Sequence, residues 1–414
     1  MLCATLLLST LAGIAERPFS DLSFDAALAS AQKYQKVVMI DFFTTWCAPC
    51  KQLDRITWKD PKVIEWLEKS CIALKIDAEE EVALAKRFEV RGYPTILFVK
   101  PDGTVIDRLV GFLDAAAFLD SATKSLAGKT ALVQAKEALA GRENDPMARK
   151  RYASALARAT KYDEALAEYL WCFDQGAQAS PSFTGVRLSF LLGDIVRLGD
   201  LHPPALQALR DRRDAAEARI VAGAGSDDDA QVACAINRDL EEEERTVALY
   251  DHLRKKGPIT GKLRFSLGRA MLEPLVAQRR YAEVFELYDS PQSYIDSHIH
   301  AFESRPKPSP QSDPMYLKSL ADAEPFLRDS TAADAAVMFE ALVGAKRTDD
   351  ASKAADRLLA FANTGATYAA LIDRAARAGD VELAKKLVER GLASLPQEEH
   401  AAVRAARERI PSGK

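Results

Sequence analysis

The chain has 414 residues, 56 basic against 60 acidic side chains for a formal net charge of -4, with 48% apolar and 28% charged residues. This is ordinary globular composition, long enough for two to four units at roughly 100 to 200 residues each, and it lacks the basic excess that holds phosphates, so nucleic acid is not an expected partner. Of six cysteines, Cys47 and Cys50 alone form a tight pair, while Cys3, Cys71, Cys172 and Cys234 are scattered singly, which excludes a disulfide scaffold and reads as small buried hydrophobes.

Residues 1–15 are apolar and uncharged, with Leu6, Leu7, Leu8 and Leu11 followed by Gly13-Ile14-Ala15. They read as the tail of a secretory signal lacking its positive leader, or as a first helix. Spanning a bilayer takes roughly 20 apolar residues, and no stretch here reaches that length. The expected location is extracytoplasmic, periplasmic or secreted, with cytoplasmic the alternative.

From residue 23 to about 128 helical and strand periods alternate. Phe24, Ala27, Leu28 and Ala31 mark a helix, residues 37–43 a buried strand, and the cysteines open a second helix. Asp60-Pro61 restarts a helical piece with Asp60 as N-cap and Pro61 at the first helical position. Residues 71–76 read as a strand, 82–88 as a helix and 95–99 as a strand. Pro101-Asp102-Gly103 turns the chain into a strand at 105–110, an antiparallel hairpin, and 115–126 close the unit as a helix.

Beyond about residue 130 the strand signal is lost and the chain is alanine- and leucine-rich helix. The expected division is a possible signal at 1–15, an α/β domain at 16–128 and a helical domain at 129–414. Tyr162-Asp163-Glu164-Ala165 with Tyr169 and Cys172 is echoed by Tyr281-Ala282-Glu283-Val284 with Tyr288, and by Gly379-Asp380, Ala384, Val388, Gly391 and Pro396. These spacings let paired antiparallel helices approach closely, and they resemble the second helix of a tetratricopeptide repeat, whose period is about 34 residues. The implied architecture is a helical-hairpin solenoid. Residues 303–314, with four prolines, are expected to be a loop between blocks of hairpins.

A Cys-x-x-Cys pair at a helix N-terminus suits disulfide exchange, because unpaired backbone N–H groups and the helix dipole favour a thiolate on Cys47, which must also be accessible, while Cys50 lies one turn inside. Half of a zinc site is the competing reading, but no second pair or nearby histidine accompanies it. No metal and no organic cofactor are expected. His298-Ile299-His300 reads as a solvated loop rather than a ligand pair, residues 227–229 as an acidic loop tip, and 241–244 as an exposed helix face.

The run Ile40-Asp41-Phe42-Phe43-Thr44-Thr45-Trp46-Cys47-Ala48-Pro49-Cys50-Lys51 resembles the active-site signature of the thioredoxin family, and the similarity extends over about residues 23–126. The resemblance implies the α/β thioredoxin fold, a central mixed sheet flanked by helices, and a thiol-disulfide oxidoreductase in which Cys47 attacks a partner's disulfide and Cys50 resolves the mixed disulfide. It implies that Asp41 is the buried acid that takes the proton from the resolving cysteine, and that Arg91-Gly92-Tyr93-Pro94-Thr95 carries a cis-proline, Pro94, beside Cys47. Trp46, Ala48, Pro49, Tyr93, Thr95 and Gly111 then line the substrate groove. The family's lysine near the acid falls at Ala73, with Lys75 facing the same way. The helix break at 57–61 and residues 111–115 resemble the DsbD-type interchange proteins. Expected partners are disulfide-containing or thiol proteins and an upstream electron-donating thiol protein, with the helical repeats recognising the client. The alternative is an interaction scaffold carrying a redox-inert thioredoxin-like module.

Overall fold

The computed structural model describes residues 18–309 and 314–411; the possible signal at 1–15 lies outside the described residues. The chain divides into two compact units, one through Ala205 and one from Leu206. That division falls well after residue 128, because the first helices beyond the last strand belong with the sheet rather than with the later helices.

In the first unit α1 (Phe24–Tyr34), β1 (Val37–Phe43), α2 (Ala48–Arg55), α3 (Pro61–Ser70), β2 (Cys71–Asp77), α4 (Val82–Arg87), β3 (Thr95–Val99), β4 (Val105–Val110) and α5 (Ala115–Leu126) follow in the expected order. The starts are chemically marked. Ser23 Oγ accepts from the Ala26 N–H, Asp60 Oδ1 from Lys62 and Val63, and Asp114 Oδ1 from Ala117, each satisfying backbone donors that a helix leaves open at its first turn.

The four-stranded sheet has the order β2-β1-β3-β4, with β1 parallel to β2 and antiparallel to β3, and β3 antiparallel to β4. Alternation along β1 sorts its side chains onto two faces. Val38, Ile40 and Phe42 pack with Phe24, Ala27, Phe88 and Leu97 under α1 and α4, whereas Met39 packs with Leu53, Trp58, Val63, Ile96 and Phe118 under α2, α3 and α5. Asp41 is on the Met39 face, so it points beneath the helix that carries Cys50.

The first unit continues through α6 (Ala131–Leu139), α7 (Pro146–Arg158), α8 (Tyr162–Ala179), the single turn α9 (Thr184–Val186), a π turn at Arg187–Leu191 and α10 (Leu192–Gly199). One contact fastens these helices to the sheet's end of the unit and another ties them to each other. Tyr162 on α8 donates its hydroxyl to the carboxylate of Glu89, which follows α4, and the Tyr169 and Ser154 hydroxyls join α8 to α7 at 3.0 Å.

The division crosses α11 (Pro204–Val221), and the second unit comprises the rest of that helix with α12 (Asp227–Asp239), α13 (Glu243–Lys256), α14 (Gly261–Ala277), α15 (Tyr281–Leu287), α16 (Pro291–Glu303), α17 (Pro314–Gly344), α18 (Thr348–Phe361), α19 (Gly365–Arg377), α20 (Val381–Ser394) and α21 (His400–Glu408). Its core runs continuously from Tyr250 to Ala406. No helix among the described residues is long and apolar enough to cross a membrane.

One turn recurs through both units. Thr160, Glu241, Arg279, Lys346 and Gly379 all have positive φ, and in each case the next residue's N–H bonds a carbonyl five residues back: Lys161 to Leu156, Glu242 to Asn237, Arg280 to Leu275, Arg347 to Leu342 and Asp380 to Ala375. This left-handed residue with its reaching-back bond stops one helix and starts the next two residues later. Within the second unit, side-chain ties also recur at nearly one spacing. Arg254 bonds Glu286 at a separation of 32, Arg374 bonds Glu340 and Arg390 bonds Asp356 at 34, Thr364 bonds Asp329 at 35, and Arg409 bonds Asp373 at 36.

Two smaller expectations are corrected. His298 and His300 lie inside α16, where His298 Nδ1 is 3.0 Å from the Tyr294 carbonyl, so as alternate residues of a helix they share no face. Asp227 to Asp229 open α12, with Ser226 and Asp229 forming a reciprocal capping box, rather than a loop tip.

At Gly344 the close approach of helices leaves no room for a side chain: a Cβ there would lie 2.2 Å from the ring of buried Tyr281. Gly344→Ala is therefore expected to destabilise the second unit by about 1–3 kcal/mol, read as a lower denaturation midpoint with unchanged slope; an unchanged midpoint refutes this packing.

Candidate active site

The β1 register fixes the site. Phe42 pairs with Thr95, so the residues after β1 and those before β3 leave the same end of the sheet, bringing the loop 44–47 to the loop 92–94. The Trp46 and Tyr93 rings meet edge to face with centroids 5.9 Å apart, and the Tyr93–Pro94 peptide bond is cis. The third loop at this end is joined by Gly111, whose N–H donates to the Pro94 carbonyl at 2.9 Å from a left-handed φ of 94°. That backbone conformation favours glycine.

Cys47 is the N-cap of α2 and its sulfur accepts from the Cys50 N–H at 3.1 Å; the two cysteines form a disulfide. Pro49 lies in the first turn, where its missing N–H costs no helix bond. The expected contrast in access is absent in this oxidised form, since Cys47 is 3% and Cys50 2% exposed. What distinguishes the sulfurs is position: Cys47 stands at the helix end, facing open backbone donors. Ala48 and Pro49 are exposed, as is Trp46, whose Nε1 donates to Glu79 at 3.0 Å. Thr95 is buried, and its hydroxyl is spent on the Gly92 carbonyl at 2.7 Å.

Asp41 is 1% exposed. Burial pushes its carboxyl up to about 7, against the opposing pull of Lys75 and of a hydrogen bond from Trp58 Nε1 to Oδ2 at 2.9 Å. Oδ1 has no hydrogen-bond partner among the described residues. Lys75 is the register partner of Asp41 on β2, as its facing predicts, and it ion-pairs with Asp54 on α2. Burial pushes the thiols of Cys71, Cys172 and Cys234 up to about 12, which makes them poor nucleophiles at neutral pH. Among the described residues no group of three or more metal-ligating side chains is gathered.

The loops carrying Trp46 to Pro49, Tyr93 to Thr95 and Gly111 meet at this end of the sheet, with Asp41 beneath α2, and the sequence reading left out three side chains that act on them: Trp58, Asp54 and Glu79. Trp58 was legible only as part of a helix break. Its face, shared with Met39 and Asp41, follows from the alternation on β1 once the helix after the break is placed over that face.

Residues 24–124 match the family model described as a thioredoxin-like domain. The chain is 38% identical over 108 residues to thiol:disulfide interchange protein DsbD of Klebsiella pneumoniae, covering 25% of this chain and 18% of that protein. It is 39% identical over 110 residues to DsbD of Yersinia pestis, again covering 25% and 18%. A solved structure of a putative disulphide-isomerase from Bacteroides thetaiotaomicron is 40% identical, covering 26% of this chain and 91% of that one with a TM-score of 0.25. The chain thus spans less than a fifth of the length of the interchange proteins it matches.

Asp41 makes the oxidised protein's stability depend on pH. Its folded value of about 7 exceeds the ordinary 3.8, so its contribution is fully present below about 4, declines as the unfolded chain ionises while the folded one stays protonated, and levels off above 7. The decline amounts to roughly 4 kcal/mol at 1.36 kcal/mol per pH unit. Asp41→Asn should therefore gain on the parent between pH 4 and 7 and no further above it. Tryptophan fluorescence during urea unfolding reads this, because Trp46, Trp58 and Trp66 all lie in the sheet region; a pH-independent difference contradicts the buried-acid assignment. Trp58→Phe, which removes a bond to the carboxylate, should move the Asp41 titration upward.

Proposed function

We propose, from the premise that residues 24–124 are a thioredoxin-like domain, that the protein is a thiol-disulfide oxidoreductase acting on disulfides of protein partners. The observation that carries this reading is the Cys47–Cys50 disulfide at the N-terminus of α2 above a buried Asp41 whose carboxyl burial pushes up to about 7.

In the reducing direction, which Pro49 favours by limiting backbone freedom in the loop and lacking an N–H, the Cys47 thiolate attacks one sulfur of the client's disulfide. A mixed disulfide forms and the other client sulfur leaves as a thiolate that takes up a proton. Asp41, a carboxylate in part at neutral pH, accepts the Cys50 proton through Oδ1, the oxygen that Trp58 leaves free. The Cys50 thiolate then attacks Cys47 Sγ and releases the client as a dithiol. Two electrons have passed from the pair to the client, and an upstream thiol protein must return them. No organic cofactor enters this scheme. Pro94 and Gly111 shape the groove, with Trp46, Ala48, Pro49 and Tyr93 on its surface and Thr95 as its buried support.

The helical part, residues 129–414 in this reading, is a tetratricopeptide-like array that recognises the client, supported by the repeated left-handed turn and by ties recurring every 32–36 residues. Residues 1–15 act as an export signal and place the protein outside the cytoplasm, which suits a chemistry that needs disulfide-bearing clients.

Cys47→Ser should reduce insulin no faster than the dithiothreitol supplied, while Cys50→Ser should accumulate a client joined to Cys47, seen as a band on non-reducing gels that dithiothreitol removes. Parent protein no faster than Cys47→Ser would instead favour an interaction scaffold with a redox-inert module.

A further inference from the structure

Within the first unit, a cleft of about 680 Å³ opens beside the cis-proline loop, a size that accommodates several side chains of a bound peptide. One wall is made by Arg91, Gly92 and Thr95, which flank the Tyr93–Pro94 bond; the other by Arg158, Tyr162 and Tyr169 of α7 and α8. The same loop therefore touches Trp46 through Tyr93 and borders the cleft through its neighbours.

The charges lining the cleft are unequal in how far they are satisfied. Glu89 holds the Tyr162 hydroxyl, and Asp194 is shared between Lys150, at 2.5 Å, and Arg197. Arg108 donates to the carbonyls of Phe88 at 2.5 Å and Glu89 at 3.1 Å, so it meets no carboxylate in those bonds. Arg91 and Arg158 are exposed and have no ion-pair partner among the described residues; the lining sets four arginines, Arg91, Arg108, Arg158 and Arg197, against three acids, Asp194, Asp200 and Glu89, whose charge the neutral Tyr162 hydroxyl does not cancel. In a chain of net charge -4, this is a cationic recess with uncommitted guanidinium groups, which pair most strongly with carboxylates.

We propose that this cleft is a client-recognition subsite that takes an acidic segment, rich in Asp and Glu, of the polypeptide whose disulfide is presented to Cys47. It rests on the oxidoreductase reading above and deepens it, because α7 and α8 then select clients at the rim of the dithiol.

The test uses the full chain and a cysteine-free, fluorescein-labelled peptide rich in Asp and Glu, alongside its counterpart with lysines at the same places, followed by fluorescence anisotropy at low salt. The acidic peptide should bind about tenfold tighter, ~1.4 kcal/mol, weakening as salt rises. Arg158→Glu and Arg91→Glu should each abolish that preference, and the neutral Arg158→Gln should fall between; circular dichroism checks that each variant is folded. Equal binding of the two peptides, or a preference that survives both charge reversals, overturns the proposal. Disulfide-linked versions of the same peptides then give the ratio of kcat/KM, acidic over basic, which should drop toward one in Arg158→Glu. If the parent reduces neither faster than Cys47→Ser does, the oxidoreductase reading fails while the anisotropy still decides whether the cleft binds acidic chains.

Discussion

Asp41 lies near the middle of β1, hydrogen-bonded into the sheet on both sides, and burying its charge is the constraint around which the site is arranged. A carboxylate taken out of water stays charged only if something compensates it. Here the compensation is partial: Trp58 donates to one oxygen, and Lys75 stands opposite on β2 but is drawn toward Asp54. The result is an acid held near neutrality rather than far to either side. Full pairing with Lys75 would have fixed it as a carboxylate, and no partner at all would have kept it protonated. An acid poised between those limits can take and return a proton at physiological pH.

That placement was readable from the sequence because β1 is an almost unbroken apolar run, so a single acidic residue in it stands out, and because the cysteines follow at once. The strands, the helices and the hairpin turn were equally legible, each from a local signal: a short apolar run, apolar residues three and four apart, Asp60-Pro61 at a helix start, or a Pro-Asp-Gly turn. Trp58 was not, since its role depends on which sheet face α3 covers. Nor was the burial of Cys47, which local position at a helix end does not determine. The histidines of α16 were misread because an isolated His-Ile-His has the same alternation in a strand as in a helix, and only the surrounding Ile295, Ile299 and Phe302, spaced four and three apart, show the helical face.

The helical part was legible in kind and obscure in period for one identifiable reason. A hairpin turn through the left-handed region normally advertises itself by glycine. Of the five matching turns, only that at Gly379 does so; Thr160, Glu241, Arg279 and Lys346 adopt the same conformation without it. Each such residue costs roughly 1–2 kcal/mol against an ordinary conformation, a cost offset by packing of the helices on either side. The recurring turn is thus written in backbone geometry rather than in small residues, and a motif search by residue type finds the turn at Gly379 first.

The bond between Tyr162 and Glu89 bears on how α8 is held against the sheet of the first unit. If the helices were merely tethered to the sheet by a flexible linker, they would raise the local concentration of any client without orienting it, and the gain would depend on linker length. Instead α8 is fastened to the residue that follows α4, and the Arg108 guanidinium bonds the carbonyls of Phe88 and Glu89 on the same turn. A client held by α7 and α8 would then meet the dithiol in a set orientation, and orienting two reactants is worth more than gathering them. The first helices beyond the last strand are thus fastened to the sheet, within the compact unit that ends at Ala205.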